Sequence, residues 1–295
     1  MRRMLKRLRL LALSLVCLTA GPAHAEGSCA RIVSLAPSVT EVLYDLGLGG
    51  SVVGRTRFCR FPREAASVPE VGGFYDMSVE AVVALRPTHI VTLKESSDIA
   101  MQAARFGAQV IEVDHSRVEG IKSSLKTIGS RCGAELMANK RLEEWRSKED
   151  SLRHALHDSA PVKTLVVVGR LEQGGALSAL YISGSDGFYT DVLKLAGGVN
   201  VNDKPTVALP VVSSEGLLAL RPDAIVEIES IDDAPPEVAA SAVWGAFPEL
   251  PAVQNGRVFS VSDDYASIPG PRYMQLVEKI AALLHGAPAP TGGAS

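Results

Sequence analysis

Two glutamates 135 residues apart, Glu80 and Glu215, stand in the same surroundings. Ser78-Val79-Glu80-Ala81-Val82-Val83-Ala84-Leu85-Arg86-Pro87-Thr88-His89-Ile90-Val91 recurs as Ser213-Ser214-Glu215-Gly216-Leu217-Leu218-Ala219-Leu220-Arg221-Pro222-Asp223-Ala224-Ile225-Val226, with eight of the fourteen aligned positions identical. A carboxylate two places after a serine has two uses. It can complement the positive end of a helix, worth about 0.3–1 kcal/mol, or it can meet a cation on a partner. One copy alone reads as the first use. A pair at equivalent points of two half-chains keeps the second use open, because a partner with two-fold symmetry would need one equivalent contact on each half.

A second set of residues has the chemistry to grip a small molecule. Only 5 % of the chain is aromatic, yet Phe58, Phe61, Phe74, Tyr75, Phe188, Tyr189 and Tyr265 fall in or near segments expected to follow strands: 55–61, 73–77, 93–97, 182–189, 207–210 and 263–272. In strand–helix lobes, ligands sit at the carboxyl ends of the strands. Aromatic walls with a few polar anchors suit large flat ligands, and the same rings serve equally well as lobe core. Arg55, Arg57 and Arg60 surround Phe58 and Cys59, a cationic rim suited to a carboxylate-bearing chelate or simply a solvated basic loop. Cys59 would ligate a metal only as an exposed thiolate; otherwise it is structural. His89, His115, His154, His157 and His285 lack clustered ligand spacing, so no resident metal or cofactor is expected. The rival class is an exported α/β hydrolase, but no Gly-x-Ser-x-Gly elbow, P-loop or His-Glu-x-x-His occurs, and the chain reads as non-enzymatic.

These groups need two similar lobes to hold them. Each repeat copy reads as a short Ser-capped helix, stopped at a proline and run into an apolar strand. The N-terminal half alternates strand and helix: a strand at 31–35, a helix opened by the capping box Ser38-x-x-Glu41, a strand at 52–54, the first repeat, a strand at 109–113 and a helix from about Val118. Residues 134–158 contain no Gly or Pro and predict one long helix. A second series of strands and helices follows from Lys163, closing with a helix that has Pro271 at its first position. The expected organisation is a leader at 1–25, an N-terminal lobe at 30–130, a linking helix at 131–160, a C-terminal lobe at 161–285 and a disordered tail at 286–295. The fold class is α/β: two Rossmann-like lobes joined by a single long helix, with the ligand cleft between them.

The first 25 residues read as a cleavable secretory signal, with a basic start, an apolar run from Leu8 to Ala20 too short to span a membrane, and Ala23-His24-Ala25 as the cleavage site. Neither Cys17 nor Cys29 follows the Leu and small residues of a lipid-attachment box. Removing the leader leaves 25 cations against 33 acids, a net charge of −8. That charge disfavours nucleic acid and anionic membranes as partners. Three cysteines remain, which allows one disulfide with a free thiol, or three thiols; the positions of Cys29 and Cys132 make them the favoured pair.

Five segments carry a resemblance: Arg31 to Glu41, Gly54 to Pro62, Ser78 to Val91, Leu195-Ala196-Gly197-Gly198-Val199-Asn200, and Ser213 to Val226. In this order they resemble the helical-backbone (class III) periplasmic binding proteins that serve ABC importers of vitamin B12, haem and iron-siderophores. The look is most like the vitamin B12-binding branch, and it covers nearly all of residues 30–284. The resemblance implies a monomeric periplasmic receptor that holds a cobalt- or iron-containing chelate between its lobes and delivers it to a membrane permease. It implies that Glu80 and Glu215 dock onto arginines of the two permease subunits. It implies ligand contacts from Phe58, Phe74, Tyr75, Leu93, Leu209, Tyr265 and Arg272, with Tyr75 and Tyr265 as axial candidates were the ligand haem. Arg272 could instead sit in a surface ion pair. Where the B12 branch commonly carries cleft tryptophans, this chain has Phe74, Leu93 and Leu209.

Overall fold

The computed structural model describes residues 29–73, 76–173, 176–203, 209–229 and 240–286. The expected leader, the segment after Gly286, and Phe74 and Tyr75 lie outside the described residues. In the N-terminal lobe the order is β1 (Ile32–Ser34), α1 (Pro37–Asp45), β2 (Val52–Arg55), α2 (Val79–Ala84), β3 (His89–Leu93), α3 (Ser97–Ala104), β4 (Gln109–Val113) and α4 (Val118–Cys132). The four strands form one parallel sheet in the order β2-β1-β3-β4. β1 and β3 lie at its centre and are buried on both faces, which is why they read as unbroken apolar runs. β4, at the edge, alternates between exposed and buried residues.

The linker is a single helix, α5 (Glu135–Ala155). It is about 30 Å long at 1.5 Å per residue. α4 ends on Gly133, whose left-handed φ of 71° lets the chain turn into α5. Cys29 and Cys132 form a disulfide, their Cα atoms 5.0 Å apart, tying the start of the lobe to the end of α4. Cys59 is a free, buried thiol, and burial pushes its ionisation up, so it is no exposed thiolate.

The C-terminal lobe runs β5 (Val162–Gln173), β6 (Ala176–Ile182), α6 (Phe188–Leu195), β7 (Gly198–Asn200), β8 (Val211–Ser213), α7 (Ser214–Leu220), β9 (Ala224–Ile228), α8 (Ala240–Gly245), α9 (Pro251–Gln254), β10 (Val258–Val261) and α10 (Tyr273–His285). The sheet order is β10-β9-β5-β6-β8, with β7 also on β5. β5 pairs in parallel with β9 and β7, but β6 runs antiparallel to both β5 and β8. The series of strands and helices is therefore interrupted by a hairpin that the strand reading at Lys163–Val168 did not include.

The sequence repeat is also a conformational repeat. Ser78 accepts the Ala81 N–H at 3.0 Å and opens α2; Ser213 accepts the Gly216 N–H at 3.3 Å and opens α7. Each copy then takes a left-handed residue just before its proline, Arg86 at φ 47° and Arg221 at φ 44°, the two such non-glycine residues among those described. β3 and β9 follow, and β9 is buried throughout.

Two helix starts differ from expectation. α1 begins at Pro37 with Ala36 as its cap and no side-chain cap bond, because a proline in the first turn sets φ and lacks the orphan N–H. Ser38 and Glu41 therefore form no capping box; both side chains are used elsewhere. α10 begins at Tyr273, two residues after Pro271.

Candidate functional site

A cleft of about 290 Å³ opens between the lobes. This is near the lower end for ligand pockets. Its N-terminal wall comes from segments that follow strands: Ser38 after β1, Leu93 and Glu95 at the end of β3, and His115 and Ser116 after β4. Its C-terminal wall comes from Ser183 after β6, from Asp186, Gly187, Phe188 and Tyr189 entering α6, and from Leu209 and Pro269. The carboxyl-end rule for parallel strands thus locates the N-terminal wall, whereas on the C-terminal lobe Ser183 follows the antiparallel β6 and Leu209 precedes β8.

The polar groups of this wall are held from behind. Ser124 Oγ donates to the Ile121 carbonyl at 2.7 Å, so it must accept from His115 Nε2 at 2.9 Å. Nδ1 is then an acceptor, and Ser38 Oγ, 2.8 Å away, gives it its proton. His115 is 3 % exposed, and burial drives its pKa down to about 4, so the ring is neutral at pH 7. On the facing wall Tyr189 Oη donates to the Ala266 carbonyl at 3.1 Å. Ser183 Oγ donates to the Gly184 carbonyl at 3.1 Å, beside Thr190 and Asn200.

The lobes are pinned together close by. Arg272, 7 % exposed, grips Glu41, 2 % exposed, through Nε and one Nη at 3.0 and 2.7 Å, and its other Nη meets Asp264 at 2.6 Å. Burial raises the Glu41 carboxyl to about 7 against the pull of Arg272. Phe61 stacks on the guanidinium, 3.9 Å from its ring centroid, and the Tyr265 ring lies 5.9 Å away. Gly270 permits this approach: a Cβ there would stand 3.1 Å from Ser38 Cβ and 3.4 Å from Glu41 Oε2. A second interlobe pair joins Arg117 bidentately to Asp191 at 2.6 and 3.1 Å. Glu149 on α5 ties three elements, accepting from Lys122 of α4 at 2.8 Å and from Tyr273 of α10 at 2.7 Å.

Of the residues expected at the ligand, Leu93 and Leu209 line the cleft, one from each lobe, Leu209 being 45 % exposed. Phe58 is partly exposed beside Gly73, where a Cβ would sit 3.2 Å from its ring. Tyr265 is half-buried, packs on the main core and does not line the cleft; burial and the neighbouring Asp263 push its hydroxyl up to about 12. Arg272 stands in the interlobe pair just described. The basic rim is not free charge: Arg55 is buried, donating to the carbonyls of Thr56, Ala65 and Ala66 and pairing with Glu70, and Arg57 pairs with Asp76. Ser38, His115 and Ser116 were missed, although applying the carboxyl-end rule to β1 and β4 would have pointed to them. Among the described residues no group of three or more His, Cys, Asp or Glu could hold a metal ion.

Glu80 and Glu215 are both exposed in the first turns of α2 and α7. Glu80 accepts from Ser78 Oγ at 3.1 Å, and neither carboxylate has an ion-pair partner among the described residues.

Comparison with known proteins agrees with this geometry. The model of the periplasmic binding protein family matches residues 32–265. An uncharacterized ABC transporter substrate-binding lipoprotein of Bacillus subtilis is 28 % identical over 260 residues, covering 86 % of this chain and 80 % of that protein. The vitamin B12-binding protein of Pectobacterium atrosepticum is 24 % identical, covering 86 % and 88 %. The crystal structure of the periplasmic haem binding protein HutB of Vibrio cholerae superposes with a TM-score of 0.73 at 25 % identity, covering 88 % of this chain and all of that one.

Proposed function

The chain belongs to the periplasmic binding protein family, and from that premise we propose that it is the solute receptor of an ABC importer for a metal chelate, a corrinoid first. The chelate is captured between the lobes and handed unchanged to the membrane permease; no bond is made or broken. The observation that carries this reading is a cleft walled by both lobes with one exposed glutamate, without an ion-pair partner among the described residues, at the equivalent point of each lobe. Leu93, Leu209 and Phe188 offer apolar wall, and Ser38, Ser183 and Tyr189 offer fixed polar atoms. Phe58, Phe74 and Tyr75 would complete the grip from the N-terminal rim. Arg272 would act from behind, holding α1 and α10 at a fixed distance. Glu80 and Glu215 would each meet a cation on one permease subunit. The protein would be exported by a leader cleaved after Ala25 and would work as a monomer in the periplasm.

A second reading, an iron-siderophore or haem receptor of the same family, draws support from the similarity to a haem binding protein. A thermal-shift and absorbance screen separates the two. Ligand in excess of Kd raises stability by RT ln(1 + [L]/Kd). Cyanocobalamin, dicyanocobinamide, haemin and ferric siderophores are the test set. A shift with a corrinoid, recovered intact, supports the first reading, and a shift only with haemin or a siderophore supports the second. Turnover of the ligand, or no shift with any chelate, overturns both.

A further inference from the structure

The described hydroxyls of the cleft have all spent their protons inside the protein. Ser38 donates to His115, Tyr189 to the Ala266 carbonyl and Ser183 to the Gly184 carbonyl. The Ser116 side chain bonds back to the Asp114 carboxylate, and the His115 ring is engaged by Ser124, Ser38 and the Pro269 carbonyl. What these side chains leave for a ligand is lone pairs. The two charged groups among the described lining residues, Glu95 and Asp186, are carboxylates, one from each lobe, and both are exposed.

Among the described residues, the cations flanking the cleft do not offset this. Lys94, next to Glu95, is held by Asp114 at 3.2 Å; Arg117, next to Ser116, is held by Asp191; Arg272 is held by Glu41 and Asp264. The first turn of α6 does present backbone N–H groups, but Asp186 and Asp191 bracket it and oppose an anion there. A ligand carboxylate entering this cleft would lose its water and meet acceptors and like charge, whereas a ligand amide would find partners for its N–H groups.

We propose that the cleft selects chelates whose periphery offers N–H donors and carries no carboxylates, amidated macrocycles in place of their acid forms. The inference rests on the chelate-receptor reading and names the ligand class within it. It does not depend on which metal is carried, because the selection is made at the side chains of the macrocycle.

The test uses two matched pairs titrated into the full mature chain and followed by absorbance. Dicyanocobinamide is compared with dicyanocobyrinic acid, which has the same ring with carboxylates in place of amides. Haemin is compared with its bis-propionamide. In whichever pair binds, the amide form should bind roughly tenfold tighter or more, the scale of one mispaired charge. The Glu95→Lys/Asp186→Lys variant, changed only at exposed positions, should narrow or reverse that preference. Equal affinity, or tighter binding of the acid form by the wild-type protein, overturns the inference while leaving the receptor reading intact. Binding of neither member of either pair overturns the inference, because no macrocycle is then held, and leaves the siderophore reading of the receptor to its own screen.

Discussion

Glu41 and Arg272, 231 residues apart in sequence, meet as a buried bidentate ion pair that joins the two lobes beside the cleft. Glu41 sits on α1, directly after the strand at the centre of the N-terminal sheet, and Arg272 caps α10 of the other lobe. Together with Arg117–Asp191 and the Glu149 junction, the pair ties the lobes at three places. With an uninterrupted α5 between them, closure on a ligand should be a small hinge, because bending a continuous helix costs backbone hydrogen bonds.

The first prediction follows from that pair. Removing one partner of a buried ion pair costs about 3–5 kcal/mol because the other charge is left stranded. Glu41→Ala should approach the lower figure, since Asp264 still holds one edge of Arg272. Glu41→Leu/Arg272→Met should cost less than the single change, because it buries no unpaired charge. Urea unfolding of the three proteins measures both differences. A double variant less stable than Glu41→Ala would show that the ion pair itself holds the lobes.

His115 makes stability depend on pH. Its folded pKa of about 4 lies below the ordinary value of 6.5, so the unfolded chain binds a proton here at a pH where the folded chain does not. The contribution is complete above about pH 6.5 and is lost as pH falls towards 4. The full span corresponds to about 3 kcal/mol. The stability advantage of the wild type over His115→Asn should shrink by that order between pH 7 and pH 4 in paired denaturation curves. A gap that stays constant would mean that burial does not hold the histidine neutral.

The Cys29–Cys132 disulfide closes a loop with a sequence separation of 103 residues. A loop of that length gives about 4.7 kcal/mol in the loop-closure account. Cys29→Ser/Cys132→Ser, or wild type under reductant, should lose stability of that order while binding the same ligand in the folded state. Identical unfolding midpoints with and without reductant would contradict it.

The paired glutamates allow function and stability to be separated. Glu80→Ala/Glu215→Ala should leave the unfolding midpoint close to that of the wild type, because both are solvent-exposed charges at helix starts. Ligand affinity should be unchanged, while complex formation with the permease and uptake should fall. Normal uptake by the double variant would end the docking argument.

Much of this was legible in the sequence where the signal is local. The repeat around Glu80 and Glu215 announced two lobes, and the buried strands β3 and β9 and the long α5 followed from apolar runs and the absence of breakers. The segments expected to follow strands contained Leu93, Asp186, Tyr189, Leu209 and Pro269. What stayed hidden was carried by distant partners. Ser38 and His115 meet across 77 residues, so the motif Ser38-x-x-Glu41 looked like a capping box although its two side chains serve other elements. Arg272 read as a ligand contact or surface pair because its buried partner lies at the opposite end of the chain. The antiparallel pairing of β5 with β6 was missed, although Gly174-Gly175 in the sequence is a hairpin signal.

The most direct test of the central claim is an absorbance titration of the mature protein with dicyanocobinamide, alongside Leu93→Arg/Leu209→Arg. These two leucines line the cleft, one from each lobe, and neither is fully buried, so the variant should fold. The account predicts one corrinoid per chain, recovered unchanged. It also predicts an affinity loss of more than about tenfold in the variant at an unaltered melting temperature. Undiminished affinity in the variant would place the ligand outside the interlobe cleft, and no binding by the wild type would contradict the corrinoid assignment.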